Sequence, residues 1–264
     1  TKLPTPEAWA EEQLQRLRNN QPYKNLSTDC PEATIADAYA LQRAFVQALA
    51  EAGDWGTIAG YKAALTAPQA QKMMGVAQPV IGVLFSNGER PSQHLVQTDR
   101  PVMLETELGF RLNAPIAHAV DEHSATGYVG QVYPMVELAA PHLQQRPNGV
   151  DLIASNSATY GYITGNPYQA DWHKTEAPSA VPDLDGLNIS LFQKNDLLHA
   201  EVAGSIMQGQ WQALTWLINE VLAQGYVLSA EHLLMTGSVG ALHPAKPGEY
   251  RSDYGPLGCI EFQL

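Results

Sequence analysis

The stretch Met103-Leu104-Glu105-Thr106-Glu107-Leu108-Gly109-Phe110 constrains this chain more than any other. It has the composition of an extended strand, and strand side chains alternate between faces. Glu105 and Glu107 therefore share one face, while Leu104, Thr106, Leu108 and Phe110 take the other. Acids set among apolar residues are costly to bury unless something positive meets them. A third acid, Glu137, lies in a comparable setting, Tyr133-Pro134-Met135-Val136-Glu137-Leu138. An oxygen-only donor set of this kind points to a hard divalent ion, and calcium, magnesium and manganese all suit it. Zinc is disfavoured because neither a Cys nor a His pair adjoins the acids. A solvated Glu-x-Glu face is the plain competing reading. A glycosidase with paired carboxylates is another, but neighbours on one strand face are poorly placed to flank a sugar.

Composition narrows the class. The chain has 264 residues, 45% of them hydrophobic, which is enough for a substantial core. The 21 glycines and 18 prolines call for many turns and a strand-rich body. With 27 acidic against 15 basic residues, the formal charge of -12 disfavours nucleic acid and anionic membrane as partners. Two cysteines, Cys30 and Cys259, are too few for a disulfide framework or a thiolate cluster. No run of apolar residues is long enough to span a bilayer. The cytoplasm is the expected location, with removal of a signal peptide as the alternative.

The expected elements are an N-terminal helix over 1–21, opened by Thr5-Pro6, and a second helix from the Thr34–Asp37 capping box to about Ala52. A short strand over 57–62 ends at Lys62, a helix follows from Pro68 to Met74, and a strand runs from Pro79 to Phe85. Further strands are expected at 102–111, 128–138, 151–163, 187–193 and 199–203, joined by polar stretches at 141–149 and 165–184. A late helix covers 212–223, an apolar strand 232–236, a Gly- and Pro-rich loop 240–258, and a closing strand 259–264. The expected division is a mainly helical region over 1–75 and a strand-rich metal-binding region over 76–264, packed as one unit.

Several other residues carry weaker signals. Lys62, after Gly60-Tyr61, is either a surface lysine or a cation facing a substrate carboxylate or enolate. Asp151 and Asn156 fit a turn cap as well as they fit substrate contact. Thr236-Gly237-Ser238 ends an apolar strand, where its hydroxyls and amides suit either an anion or a turn. His118, His123 and His243 form no Ser-His-Asp order, and no dinucleotide or phosphate-loop fingerprint is present.

Taken together and in order, several segments resemble the 2-hydroxypenta-2,4-dienoate hydratases and 4-oxalocrotonate decarboxylases of the fumarylacetoacetate hydrolase superfamily. They are Asp37–Gln42, Gly60-Tyr61-Lys62, Gly82-Val83-Leu84-Phe85, Glu105-Thr106-Glu107, Glu137-Leu138, Asp151–Asn156 and Leu234–Ser238. The resemblance covers about Ala33 to Leu264. It implies an α/β, strand-rich fold with a rolled or barrel-like sheet, peripheral helices and homo-oligomeric assembly. It also implies Mg2+ or Mn2+ on Glu105, Glu107 and Glu137, an active-site Lys62, and Leu84, Phe85, Asp151, Asn156, Thr236, Gly237 and Ser238 as substrate contacts. The implied substrates are small anionic 2-hydroxy-dienoates or 2-oxo acids from aromatic ring cleavage. Two positions depart from the pattern: Val80 follows Gln78-Pro79 where hydratases commonly carry an acid, and Ala230-Glu231 replaces a Gly-Asp pair. The implied chemistry is hydration, with decarboxylation, acylpyruvate hydrolysis and non-catalytic binding of a small acid as alternatives.

Overall fold

The structure is a computed structural model and describes residues 2–92, 94–169 and 183–264. The first helix, α1 (Pro6–Arg18), starts where Thr5 Oγ1 accepts the Ala8 amide and proline takes the first turn. A single turn, α2 (Leu26–Asp29), precedes α3 (Ile35–Ala52). The capping box of Thr34 and Asp37 opens α3, and Gly53 closes it in a left-handed conformation. The buried side of α3 carries Tyr39, Leu41, Phe45, Val46 and Leu49. Full burial of such a side chain contributes roughly 1.5–3 kcal/mol. The helix packs on α1 and, through the buried Gln42 amide, donates to the carbonyls of Ile81 and Ile153.

The strands β1 (Ile58–Ala64), β2 (Val80–Phe85), β3 (Glu89–Arg90), β4 (Met103–Leu112), β5 (Val129–Ala139), β6 (Gly161–Thr164) and β7 (Tyr168–Gln169) belong to one mixed sheet. The short helix α4 (Pro68–Met74) joins β1 to β2, α5 (Glu122–Gly127) joins β4 to β5, and α6 (Gly149–Ala154) follows β5. A second antiparallel sheet comprises β8 (Asn188–Gln193), β9 (Asp196–Val202), β12 (Glu249–Asp253) and β13 (Cys259–Gln263). Between its halves the chain forms α7 (Gln210–Ala223), β10 (Leu233–Met235) and β11 (His243–Pro244), the last two of which join the first sheet.

Among the described residues the first sheet runs β2-β1-β10-β4-β5-β6-β3, with β11 added at β4 and β7 at β5. It curls into a half-barrel, as expected for a rolled strand-rich α/β fold. β1 lies parallel to β10 and antiparallel to β2, so a strand from the mainly helical first 75 residues sits inside this sheet. The helix α7 buries Ala213, Leu214, Leu217, Ile218 and Val221.

Two expectations need correction. Residues 151–163 are not one strand. The Asn148–Asp151 capping box turns 149–154 into helix α6, and β6 begins only at Gly161. Leu152, Ile153 and Ala154 are all buried, and a short run buried on every side has no period to distinguish helix from strand. The stretch 240–258 is not a plain loop, because it contains β11 and β12. Tyr250 and Ser252 alternate with more exposed neighbours, as in a half-buried strand. The closing strand is present as β13, at the edge of the second sheet. Within the polar stretch 165–184, residues 168–169 form β7, and 170–182 lie outside the described residues.

Candidate metal centre

The long β4–β5 pairing builds the acid cluster. Its register sets Glu105 directly opposite Glu137 and Glu107 opposite Met135. One carboxylate oxygen from each of Glu105, Glu107 and Glu137 lies within 4.8 Å of the others. β1 supplies the counter-charge: Lys62 Nζ stands 2.6 Å from Glu137 Oε2, and their side chains are 1% and 3% exposed. Glu107 Oε1 accepts the Gly237 amide at 2.8 Å. Its other oxygen, Oε2, is buried and meets no donor among the described residues. A buried carboxylate oxygen left without a partner is rare and costly, and here it faces a ready-made set of oxygen ligands.

The electrostatics point the same way. Burial, and then the Glu137 charge, push Glu105 up to about 8, against the pull of Lys62. Burial and the charges of Glu137 and Glu105 hold Glu107 well above the usual carboxylate range. Burial works to lower the Lys62 ammonium, but Glu137, Glu105 and Glu107 outweigh it and raise it. One lysine cannot balance three acids. A divalent cation would neutralise the surplus and displace the protons that repulsion retains. The donor set therefore fits a hard ion on its chemistry, its spacing and its unpartnered oxygen.

Around the cluster the barrel interior is apolar, with Leu84, Tyr133, Met135, Tyr162, Leu233 and Met235 forming a packed group of their own. A cavity of about 700 Å³ is lined by Thr66, Gln71, Pro79, Met207, Ser238 and Gly240, among others. Thr66 packs against Gly237, whose amide holds Glu107, so this cavity adjoins the acids.

The remaining sequence candidates fall into different places. Leu84 faces the interior group, whereas Phe85 stacks edge-on against Trp55. The Thr236 hydroxyl meets Gln210 Oε1 at 2.7 Å, and the Ser238 hydroxyl donates to the Gly240 carbonyl and lines the cavity. Asp151 oxygens accept from the Ser27 amide and hydroxyl, the Asn25 amide group and the Asn148 amide. Asn156 behaves as a surrogate strand. Its side chain accepts the Val83 amide at 2.8 Å and donates to the Val83 carbonyl at 3.0 Å, while Ser157 Oγ donates to Ile81 O at 2.6 Å.

Asn156, Ser157 and Ala158 all have left-handed backbones, with φ of 71°, 54° and 60°. Each costs roughly 1–2 kcal/mol relative to the right-handed form. The turn delivers Thr159, a residue the sequence did not single out. Thr159 Oγ1 is buried without a partner among the described residues and would lie 2.6 Å from a Cβ at Gly82. The same Cβ would approach Lys62 Cε to 3.1 Å, so only glycine admits both the lysine stem and the threonine. The visible cue was a glycine facing Lys62 across β1 and β2, and it emerges only once the register is known.

No family model matches the chain. Among characterised proteins, it is 28% identical to the 2-oxo-hept-4-ene-1,7-dioate hydratase of Escherichia coli over 263 residues, spanning 95% of this chain and 92% of the relative. It is 24% identical over 245 residues to the 2-keto-4-pentenoate hydratase of Paraburkholderia xenovorans, covering 91% and 87% of the two chains. A 4-oxalocrotonate decarboxylase of Pseudomonas is 23% identical over 234 residues, covering 85% and 83%. Among solved structures, the 4-oxalocrotonate decarboxylase of Pseudomonas putida G7, complexed with magnesium and adipate, superposes with a TM-score of 0.84 at 22% identity over 98% of this chain and 96% of that one. A fumarylpyruvate hydrolase of Pseudomonas aeruginosa with Mn2+ and pyruvate gives a TM-score of 0.59 at 14% identity over 77% and 87%. Similarity along most of the chain and a shared half-barrel agree with the ordered motifs: the chain is similar to 2-keto-4-pentenoate hydratases and 4-oxalocrotonate decarboxylases, and it has the fold of the latter.

Proposed function

We propose that this protein is a divalent-metal-dependent lyase acting on a small 2-hydroxy-dienoic or 2-oxo acid, foremost a hydratase of the 2-hydroxypenta-2,4-dienoate type. The observation that carries the reading is the convergence of Glu105, Glu107 and Glu137 beside the buried Lys62, with one Glu107 oxygen free to take a ligand. A Mg2+ or Mn2+ ion held by the three acids would supply Lewis-acid contact to the carboxylate and neighbouring oxygen of a 2-oxo acid. Lys62 keeps its proton at Nζ, so it meets the substrate as a cation. It can orient a carboxylate or return a proton to carbon. The interior group of Leu84, Met135, Tyr162 and Met235 keeps water from the inner side, and the adjoining cavity admits the substrate chain.

In hydration, the proton of the 2-hydroxyl moves to the terminal alkene carbon, and water then adds across the remaining double bond. In decarboxylation, the electrons of the breaking carbon–carbon bond pass towards the 2-oxo group and a proton replaces carbon dioxide. Decarboxylation is the second reading, and Val80 favours it. Strand alternation puts this buried valine on the face of β2 that carries Gly82 and Leu84, where a hydratase would use an acid to activate water. Ser238 and Leu84 are assigned to substrate contact, while the polar groups of Asp151, Asn156, Thr236 and Gly237 are engaged within the fold and Phe85 packs on Trp55. The proposal extends to a cytoplasmic homo-oligomer.

The test is turnover of 2-hydroxypenta-2,4-dienoate, 4-oxalocrotonate and acylpyruvates, read by mass spectrometry, with metal removed by chelation and restored. Gain of water, lost with EDTA and recovered with Mg2+ or Mn2+, is expected; loss of carbon dioxide would move the assignment to the decarboxylases. Undiminished activity without metal, or no turnover of any of these acids, would overturn the proposal.

A further inference from the structure

Behind the acid-bearing strand lies a chain of polar groups that the proposed chemistry does not use. Thr106 sits between Glu105 and Glu107 in sequence, points to the opposite face and is fully buried. Its hydroxyl is 2.8 Å from the Val239 carbonyl, which can only accept, so the single hydroxyl proton is committed there. His199 Nε2 stands 2.9 Å from the same hydroxyl oxygen and must therefore be the donor. In a neutral His199 this leaves Nδ1 bare, and His243 Nε2, 2.7 Å away, donates to it. The two rings lie nearly parallel, 5.0 Å apart at an angle of 7°. The proton order is thus His243 to His199 to Thr106 to Val239.

This chain ends on the loop that grips Glu107. The Val239 amide returns a bond to the Thr106 carbonyl at 2.8 Å. Two residues earlier, the Gly237 amide holds Glu107 Oε1. One residue later, Gly240 has φ +87°, and a Cβ there would lie 2.4 Å from the His199 ring. The ring is seated on bare backbone. His199 comes from β9 of the second sheet, so the contact joins that sheet to both sides of the metal cradle.

We propose that His199 is a positioning residue for the metal cradle, with His243 fixing its tautomer, so that the second sheet sets how firmly Glu107 presents its free oxygen. This inference rests on the three-carboxylate reading of the site. His199 touches neither the acids nor the cavity proposed for substrate, and it acts through Thr106 and the 237–240 loop. The pair can carry one added proton and keep its internal bond, because one N–H still points at one bare nitrogen. A second proton would set two N–H groups head to head and break it. The groups bearing on this titration are His243, Glu201 on the same strand, the Val239 carbonyl and the Thr106 hydroxyl.

The test is metal affinity, measured by titrating Mg2+ and Mn2+ into the full chain by calorimetry, in wild type, His199→Phe, Thr106→Val and His243→Asn. Outer-shell partners that orient a ligand typically change affinity about 10–100-fold. That loss is expected for His199→Phe and Thr106→Val, with the double variant no worse than either single one because both act through one contact. The loss of affinity on acidification should shift in His243→Asn, which a purely structural ring pair would not produce. Nitrogen-15 spectra of the histidine rings should show a protonated Nε2 on His199. If His199→Phe fails to fold, Thr106→Val, nearly isosteric, decides. Wild-type affinity in Thr106→Val, or a bare Nε2 on His199, would overturn the inference. Failure of the wild type itself to bind either metal would instead overturn the three-carboxylate reading.

Discussion

At the scale of single residues, Lys62 and Glu107 separate fold from function. Lys62 is the only cation within contact of the acids among the described residues, and its removal leaves Glu137 buried and unpaired. Breaking such a pair typically costs about 3–5 kcal/mol. Lys62→Met is therefore expected to lower the melting temperature of the metal-free protein and to abolish turnover, with saturating Mg2+ recovering much of the stability because the ion replaces the lost charge. Thermal melts with and without metal read this directly, and an equal deficit in both conditions would contradict it. Glu107→Gln should do the reverse. It replaces a carboxyl that burial and repulsion already keep protonated with a neutral amide, so metal-free stability holds, while metal affinity falls by about 100-fold or more. Glu107 was legible in the sequence as an acid in an apolar strand, whereas Lys62 by itself fitted a surface lysine as well as an active-site cation, and only the family resemblance singled it out. Thr159 was not legible, since its meaning comes from what a missing side chain at Gly82 leaves open.

At the scale of elements, the strained turn 156–158 stands out. Three left-handed residues in succession are held by side chains that complete the free edge of β2. Asn156→Leu keeps the volume but orphans the Val83 amide and carbonyl, each worth about 1–3 kcal/mol when buried and unpaired. Urea denaturation is expected to show a loss of that order, with activity falling alongside as β2 and Thr159 shift. Ala158→Gly should raise stability by up to about 1 kcal/mol, since glycine relieves the left-handed strain but gains unfolded-state entropy. Lower stability in that variant would show that the turn is not strained. The elements with strong punctuation were readable: Thr5-Pro6 and Thr34–Asp37 open helices where expected, and Pro68–Met74 is a helix. Residues 151–163 misled because a capping box, a left-handed turn and a strand follow one another within a single apolar stretch. Nothing in the sequence told β13 which sheet to join.

At the scale of the whole molecule, the two sheets and their helices share one consequence of burial. His142, His199, His232 and His243 are all lowered, chiefly by burial. A group with a depressed folded value binds its proton more readily when unfolded, so its contribution is present above the unfolded value of about 6.5 and is lost as pH falls towards the folded one. Stability should therefore decline as pH falls below about 6.5. At His232 burial is the cause of the shift, and its Nδ1 also accepts the Ser229 amide at 3.0 Å, a bond the imidazolium cannot make. In His232→Gln the acid limb of a urea-midpoint profile should flatten. Glu105, held up at about 8, contributes the opposite slope in both proteins and cancels in the comparison. An identical acid limb would remove His232 from this account.

The most direct measurement is anomalous diffraction from crystals of this protein grown with Mn2+. One peak is expected among the carboxylates of Glu105, Glu107 and Glu137, with the formerly unpartnered Glu107 Oε2 among its ligands. Ordered density that shows the three acids intact with no metal between them, or a peak elsewhere alone, would contradict the central claim.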